Sequence, residues 1–282
     1  MALDEGQVQI RDLVIGPGTP YRFVRGSHFN PLARSVRADQ GGARAWGHGS
    51  WSGAEWAEQA AIPMRLVVMG KGTGGWLALH QQLLAAFAPS SVDLDLRFAL
   101  AGTEYLMRGR PRLVEPESRH VDGHTYVNAA FVALDPAIYS GTEHSVTLGL
   151  PSTVGGLTLP TTAPLTVAAT VTSGRTTIVN AGTQASGLRL RVDGPVSEPR
   201  VSTLVAGVAT TLRLWLTLGV GQWLDIDTAA RTVYLNGTAS RRGQASGGWP
   251  TLPPTTPVEI AFDAAAYDPT ALLTATWRDA WH

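Results

Sequence analysis

The sequence predicts a mainly β, antiparallel protein, and three observations carry that expectation. Residues Gln222 to Gly237 hold two hairpins end to end with no helix between them. Leu188, Leu190 and Val192 alternate with Arg189, Arg191 and Asp193, and Leu212, Leu214 and Leu216 with Arg213, Trp215 and Thr217. Such alternation places one face of a strand in a core and the other in water, as in a sandwich. Only one stretch, Trp76 to Phe87, shows helical spacing.

In the hairpin region, Trp223, Leu224 and Ile226 form a short apolar strand. Asp227 to Ala230 reverse it, because Asp and Thr side chains bond the turn backbone. Thr232 to Leu235 run back, rich in residues that suit a pleated sheet. Asn236-Gly237 then satisfies a type I′ turn, which needs positive φ at both central residues.

From the start of the chain, Val8 to Ile15 reads as a first strand, with Val8, Ile10 and Leu13 on one face. A turn at Gly16 to Pro20 leads to a second strand, Tyr21 to Val24. Asn30 to Gly53, rich in Gly, Ser and Arg and carrying Trp46 and Trp51, reads as a long loop or irregular hairpin; a loop of that length in a compact domain is usually functional. Ile62 to Met69 is a strong strand. Trp76, Leu79, Leu83, Leu84 and Phe87 form the apolar stripe of the helix, with His80, Gln81 and Gln82 outward, and Pro89 ends it. Val92 to Phe98, Glu104 to Met107, Arg110 to Val114 and Thr125 to Leu134 follow as strands. Leu150 to Pro164 is either a linker or an edge segment, since proline is tolerated at sheet edges. Further strands fall at Leu165 to Thr172, Thr176 to Asn180, Leu188 to Val192, Arg200 to Leu204, Thr211 to Leu218, Val258 to Phe262 and Leu272 to Trp277. No short-period repeat points to a solenoid or propeller.

The totals exclude several classes. The chain has 282 residues, 44% hydrophobic and 16% charged, enough for a large core or two modest domains. Net charge is +0, so there is no electrostatic footprint for nucleic acid or an anionic membrane. Cysteine is absent, which rules out disulfides and thiolate metal sites. Met1 to Arg11 lacks the apolar run of a secretory signal, and no run approaches the roughly 20 apolar residues that span a bilayer. The expectation is a soluble protein made in a cytoplasm.

The motifs of chemistry are incomplete. Gly70 to Gly75 with Lys71 lacks the order of a phosphate loop and reads as a strand-to-helix turn. In Gly49-Ser50-Trp51-Ser52-Gly53, tryptophan holds the position where a hydrolase has its nucleophile. His120 and His124 have metal-like spacing, but Asp122 and Gly123 put them in a turn. Asp225 and Asp227 share a strand face and either hold a cation with loop carbonyls or serve the turn, with Asp227 as its cap. No carboxylate pair stands out for glycoside hydrolysis. No catalytic, cofactor or metal residue is therefore assigned, and the chain is not expected to be an enzyme. Trp215 lies on the polar face beside Arg213, where an exposed indole stacks on a sugar ring or fills a partner's pocket; a one-residue slip in phase would instead make it core.

Several landmarks together resemble the siphophage distal tail protein family, often described as minor tail proteins. They are Ile226-Asp227-Thr228 with Arg231, Val233 and Asn236-Gly237; Asn180 to Thr183; Gly194-Pro195; Pro199-Arg200-Val201; and the closing Ala275 to Trp281. In the first half, the order strand, helix, strands, then Ala133 to Pro136 with Tyr139-Ser140, is similar to that family's first domain. The resemblance implies a β-barrel-like or split-β domain with one α-helix over residues 1–140 and a galectin-like jelly-roll β-sandwich over 141–282. It implies a homohexameric ring at the distal end of a phage tail, with tail-tube, hub and fibre or receptor-binding proteins as partners and the sandwiches as outward platforms. In that setting Arg44, Trp46, Trp51 and Trp56 form an inter-subunit loop, because the loop has interface-like composition and closed rings need heterologous interfaces. The alternative is a carbohydrate-binding module that contacts host-wall glycan through Trp215 and Arg213.

Overall fold

The computed structural model describes residues 3–25, 29–70, 75–117, 124–154 and 170–282. Its internal contacts divide the chain into two units, Met1–Thr142 with Trp281–His282, and Glu143–Ala280.

The first unit runs β1 (Val8–Ile10), β2 (Leu13–Ile15), β3 (Tyr21–Phe23), β4 (Val36–Asp39), β5 (Gly42–Ala43), β6 (Ser50–Trp51), β7 (Ala54–Ala57), β8 (Ala60–Met69), α1 (Gly75–Ala86), β9 (Leu94–Leu100), β10 (Thr103–Pro116), β11 (His124–Ala133) and β12 (Ile138–Ser140). Its main sheet has the order β2-β1-β9-β10-β11-β8-β3, with β12 beside β10. The two ends of that order, β2 and β3, are tied by the Gly16–Pro20 turn, where the Gly16 N–H donates to the Tyr21 carbonyl at 2.7 Å. The sheet thus nearly closes on itself, which removes most of its edges. β8 sets the inner face: Ala60, Ile62, Met64, Leu66 and Val68 are buried while their neighbours are exposed or half-buried. Val127, Ala129, Phe131 and Ala133 of β11 lie beside them in register and enter the same core. Each large side chain removed from water here contributes about 1.5–3 kcal/mol. At the close of the unit, Asp135 accepts from the Tyr139 hydroxyl at 2.5 Å and from the Ala137 N–H at 3.0 Å. Trp281 meets Tyr105 edge-on, with centroids 5.6 Å apart.

The structure corrects four local expectations in this unit. Val8 to Ile15 is a hairpin rather than one strand, because the polar pair Arg11-Asp12 turns the chain, Arg11 at φ 53°. Glu104–Met107 and Arg110–Val114 are parts of one strand, β10. Gly109 lies inside it because a Cβ there would lie 2.0 Å from the Val132 carbonyl of β11, a close backbone approach that only glycine permits. In the helix, His80 is buried and Leu84 exposed, so the inner stripe is Leu79, His80, Leu83, Ala86 and Phe87; its spacing of three and four residues keeps to one face. Val92 stands outside β9 and is exposed. Of the two readings of Asn30–Gly53, a long loop or an irregular hairpin, the structure has the hairpin, in two short steps.

The second unit runs β13 (His144–Gly149), β14 (Ser152–Val154), β15 (Thr170–Thr172), β16 (Arg175–Ile178), β17 (Ser186–Gly187), β18 (Arg189–Asp193), β19 (Val196–Ser197), β20 (Arg200–Val205), β21 (Val208–Leu214), β22 (Thr217–Leu218), β23 (Trp223–Asp227), β24 (Thr232–Leu235), β25 (Ala239–Ser240), β26 (Ala245–Gly247), β27 (Thr251–Leu252), β28 (Val258–Asp263) and β29 (Leu272–Trp277). A six-stranded sheet, β13-β29-β18-β23-β24-β25, packs on a five-stranded one, β16-β28-β20-β21-β26. Leu190, Val192, Leu224, Ile226 and Leu273 of the first sheet share one core with Val201, Leu212, Leu214, Ile260 and Phe262 of the second. β13, β16, β18 and β20 alternate between the sheets. β28 then returns between β16 and β20, and β29 between β13 and β18. That double Greek key is a jelly roll.

Of the predicted strand Leu165 to Thr172, only Thr170–Thr172 falls among the described residues, where it pairs with Ser152–Val154; the rest of the Leu150–Pro164 question lies outside them. The expected strand Thr211 to Leu218 is broken. The Leu216 N–H donates to the Leu214 carbonyl at 3.0 Å, a three-residue turn centred on Trp215.

Candidate functional site

Three surfaces hold what the two units expose. The first is an arm. β4 pairs with β7 and β5 with β6 in two short antiparallel steps, and the Glu58 N–H donates to the Ser35 carbonyl at 2.9 Å across its root. Gly53 sits where a Cβ would lie 1.7 Å from the Asp39 carbonyl, so the strands cross too closely there for any side chain. Every residue from Ser35 to Gln59 except Gly42 and Gly53 is exposed. Trp46 at the tip is 94% exposed, Trp51 52% and Trp56 58%. Trp51 rests beside Gly42, its Nε1 3.5 Å from where a Cβ would be. Arg44, exposed, closes the tip through its N–H to the Gly49 carbonyl at 3.1 Å. The four predicted loop residues therefore lie on one element whose apolar side chains meet no core.

The second surface is Trp215, 50% exposed, on the solvent side of the five-stranded sheet. The phase inferred from the sequence holds: Leu212 and Leu214 are in the core. The Arg213 guanidinium stacks 3.5 Å from the indole centroid and also pairs with Glu198. Trp215 Nε1–H donates to Ser246 Oγ at 2.8 Å. The ring is held by its backbone turn, its N–H and one face, which lowers the entropy lost when a partner covers the rest.

The third surface was missed as a unit by sequence reasoning. On the outer face of the six-stranded sheet, Arg189 lies opposite Asp227, which lies opposite Thr232; Arg191 lies opposite Asp225, which lies opposite Tyr234. Thr276 and Thr274 flank the arginines on β29. Together they line a groove of about 470 Å³. The signal was present in the alternation of β18, which was used only to find the core.

Asp227 takes the turn role: its Oδ1 accepts from the Ala230 N–H at 2.8 Å. Asp225 Oδ2 accepts from Trp223 Nε1–H at 2.9 Å. Among the described residues, no three His, Asp or Glu side chains gather as metal ligands. Lys71 to Gly74 and His120 lie outside the described residues. Ser52 Oγ donates to Glu55 on the exposed arm at 2.6 Å. No described helix is long and apolar enough to cross a membrane.

No protein-family model matches the chain, and no curated protein does. Nine chains of solved structures match. A crystal structure of the Dit protein of phage SPP1, presented as a paradigm of the hub adsorption apparatus in phages that infect Gram-positive bacteria, is similar with TM-score 0.58 and 13% identity, over 89% of this chain and 90% of that one. A chain of the phage p2 baseplate in its activated conformation with strontium is similar with TM-score 0.58 and 12% identity, over 96% of each. A chain of the same baseplate with calcium is similar with TM-score 0.55 and 14% identity, over 93% of this chain and 99% of that one. The fold is therefore that of phage Dit and baseplate proteins, over both units and in the same order.

Proposed function

We propose that this chain is a structural component of a phage tail tip, and that its copies close into a hexameric ring joining the tail tube to the hub and to fibre or receptor-binding proteins. The observation that carries this reading is the length of the match: both units, in order, share the fold of baseplate proteins over about nine-tenths or more of each chain. The role is architectural rather than catalytic. The arm supports it from physics. An exposed β arm with three tryptophans is costly to leave in water, and such a surface marks an interaction site. A ring needs a surface that meets a different surface on the next copy, and Arg44, Trp46, Trp51 and Trp56 supply one half of that contact. Arg213 and Trp215 supply a pre-organised contact for an attached protein.

Co-expression with the tail-tube and hub proteins of the same phage tests the assignment. The expected result is one co-eluting assembly containing all three. Failure to associate with either neighbour, with every protein folded, would overturn it.

A further inference from the structure

We infer that the hollow where the β1–β2 turn meets the end of α1 is the socket for the arm tip of the next copy, with that copy's Trp46 stacked on Arg11. The inference rests on the ring reading above and names the other half of its contact.

Local structure builds the hollow. α1 has no basic residue in its last turn, so its final carbonyls, the negative end of the helix dipole, are answered from elsewhere in the chain. Arg11, at the β1–β2 turn, answers them. Its Nη1 donates to the Ala85 carbonyl at 2.5 Å and its Nη2 to the Ala88 carbonyl at 3.0 Å. Two bonds fix the guanidinium, yet the residue stays exposed. Between turn and helix lies a hollow of about 420 Å³, walled by Arg11, Asp12, Leu13, Gln82, Ala85 and Ala86. Clefts that take small organic groups run from roughly 300 to 1,000 Å³.

Those walls suit an indole. Leu13, Ala85 and Ala86 are apolar, and Arg11 adds a flat cation already held in place, which attracts the face of an aromatic ring. This chain makes that contact elsewhere: Arg213 lies 3.5 Å from the Trp215 centroid, and Arg191 and Arg242 each lie 4.7 Å from those of Trp223 and Trp249. Among the described residues no ring covers Arg11 in this way. Trp46, 94% exposed, is the tryptophan with the least cover of its own.

Charge and reach agree. From Gln40 to Ala54 the arm holds Arg44 and His48 and no acid. Asp12, exposed at the rim of the hollow, forms no ion pair among the described residues, so a cationic tip meets an open carboxylate. Trp46 stands 11 residues beyond Ser35, up to roughly 35 Å of extended chain. A unit of about 140 residues has a radius of gyration of only about 14 Å, so the tip reaches a neighbour. Arm and hollow lie on the same unit, and a closed ring requires such a pair of unlike surfaces on every copy.

The chain has no cysteine, so an engineered disulfide tests the contact without background. Ala45→Cys lies beside Trp46 and Ala85→Cys on the wall of the hollow, both at exposed positions. A disulfide forms only where Cα atoms come within about 7 Å. The full-length double variant, oxidised at micromolar concentration, should give a ladder of linked copies on non-reducing electrophoresis, with the 45–85 linked peptide found by mass spectrometry. Ala45→Cys with Glu115→Cys, an exposed position on β10, should give no 45–115 peptide. Ala85→Arg, which fills the hollow from an exposed helix position, should raise the dissociation constant of the assembly tenfold or more. Trp46→Ala should do the same, and the two together should add little, because both remove one contact. Thermal melting verifies folding, and the disulfide result stands without the filling variant. Absence of the 45–85 peptide from assembled rings, its formation only within single chains, or wild-type assembly of Ala85→Arg each overturns the socket while the ring remains. A wild type that stays monomeric overturns the ring reading and the socket with it.

Discussion

Removing the arm tests what holds the copies together. The Glu58–Ser35 backbone bond already brings the arm's two roots to hairpin distance, so Val36–Ala57 can be replaced by Asn-Gly without disturbing the barrel. The exposed fractions of Trp46, Trp51 and Trp56 amount to about two whole indole side chains. At 150–250 Å² each that is roughly 400 Å² of surface, worth about 10 kcal/mol at 25 cal/mol/Å² if fully covered by the neighbouring copy. Association itself costs about 4–15 kcal/mol, so a contribution of that size decides whether copies associate. Even a third of it, about 3 kcal/mol, raises a dissociation constant more than a hundredfold. Mass photometry and native mass spectrometry at micromolar concentration should show hexamers for the intact chain and monomers for the truncated one, with the unfolding of the barrel unchanged. Equal assembly of the two forms would refute the reasoning.

Three further predictions concern the scaffold. Asn180 is fully buried and spends its whole amide: it donates to the Gln184 and Leu252 carbonyls at 2.7 and 3.2 Å and accepts from the Gly182 and Ala280 N–H groups at 3.0 and 3.2 Å. Asn180→Ala removes four hydrogen bonds to backbone groups and should cost the second unit about 3–5 kcal/mol by denaturant titration; a loss under about 1 kcal/mol would contradict this. Gly109→Ala forces a Cβ to 2.0 Å from the Val132 carbonyl and should cost the first unit about 3 kcal/mol, read as a lower calorimetric transition; an unchanged transition would show that β10 and β11 part freely. Glu5 accepts from Gly102 and Ala101 N–H groups at 2.9 and 3.0 Å, which hold its carboxyl below its ordinary 4.5. A lowered folded value means the contribution is present above pH 4.5 and lost as pH falls through the folded value. Hydrogen exchange at Ala101 and Gly102, compared between wild type and Glu5→Gln, should show protection that fades on acidification only in the wild type.

What the sequence disclosed followed where local and tertiary preference agreed. Strands that bury one face and wet the other, such as β18 and β21, were legible from alternation alone. The turn at Asn236-Gly237 was legible because it needs positive φ twice, and the structure has 51° and 70° there. The continuity of β10 through Gly109 was not legible, because the reason for a glycine there, a carbonyl on the next strand, is a tertiary fact. His80 was misplaced because polarity is a weak guide inside a helix stripe, and the aromatic ring of Trp76 lies beside it, with centroids 6.4 Å apart. The break at Trp215 carried no composition signal. The groove was hidden for a different reason: its residues come from β18, β23, β24 and β29, and only the register across the sheet brings them together.

Labelling locates the protein directly. Antibody–gold electron microscopy of phage particles from the strain that carries the gene should place the label at the distal end of the tail. Label on the head, along the tube, or absent from intact particles that contain the other tail proteins would contradict the account.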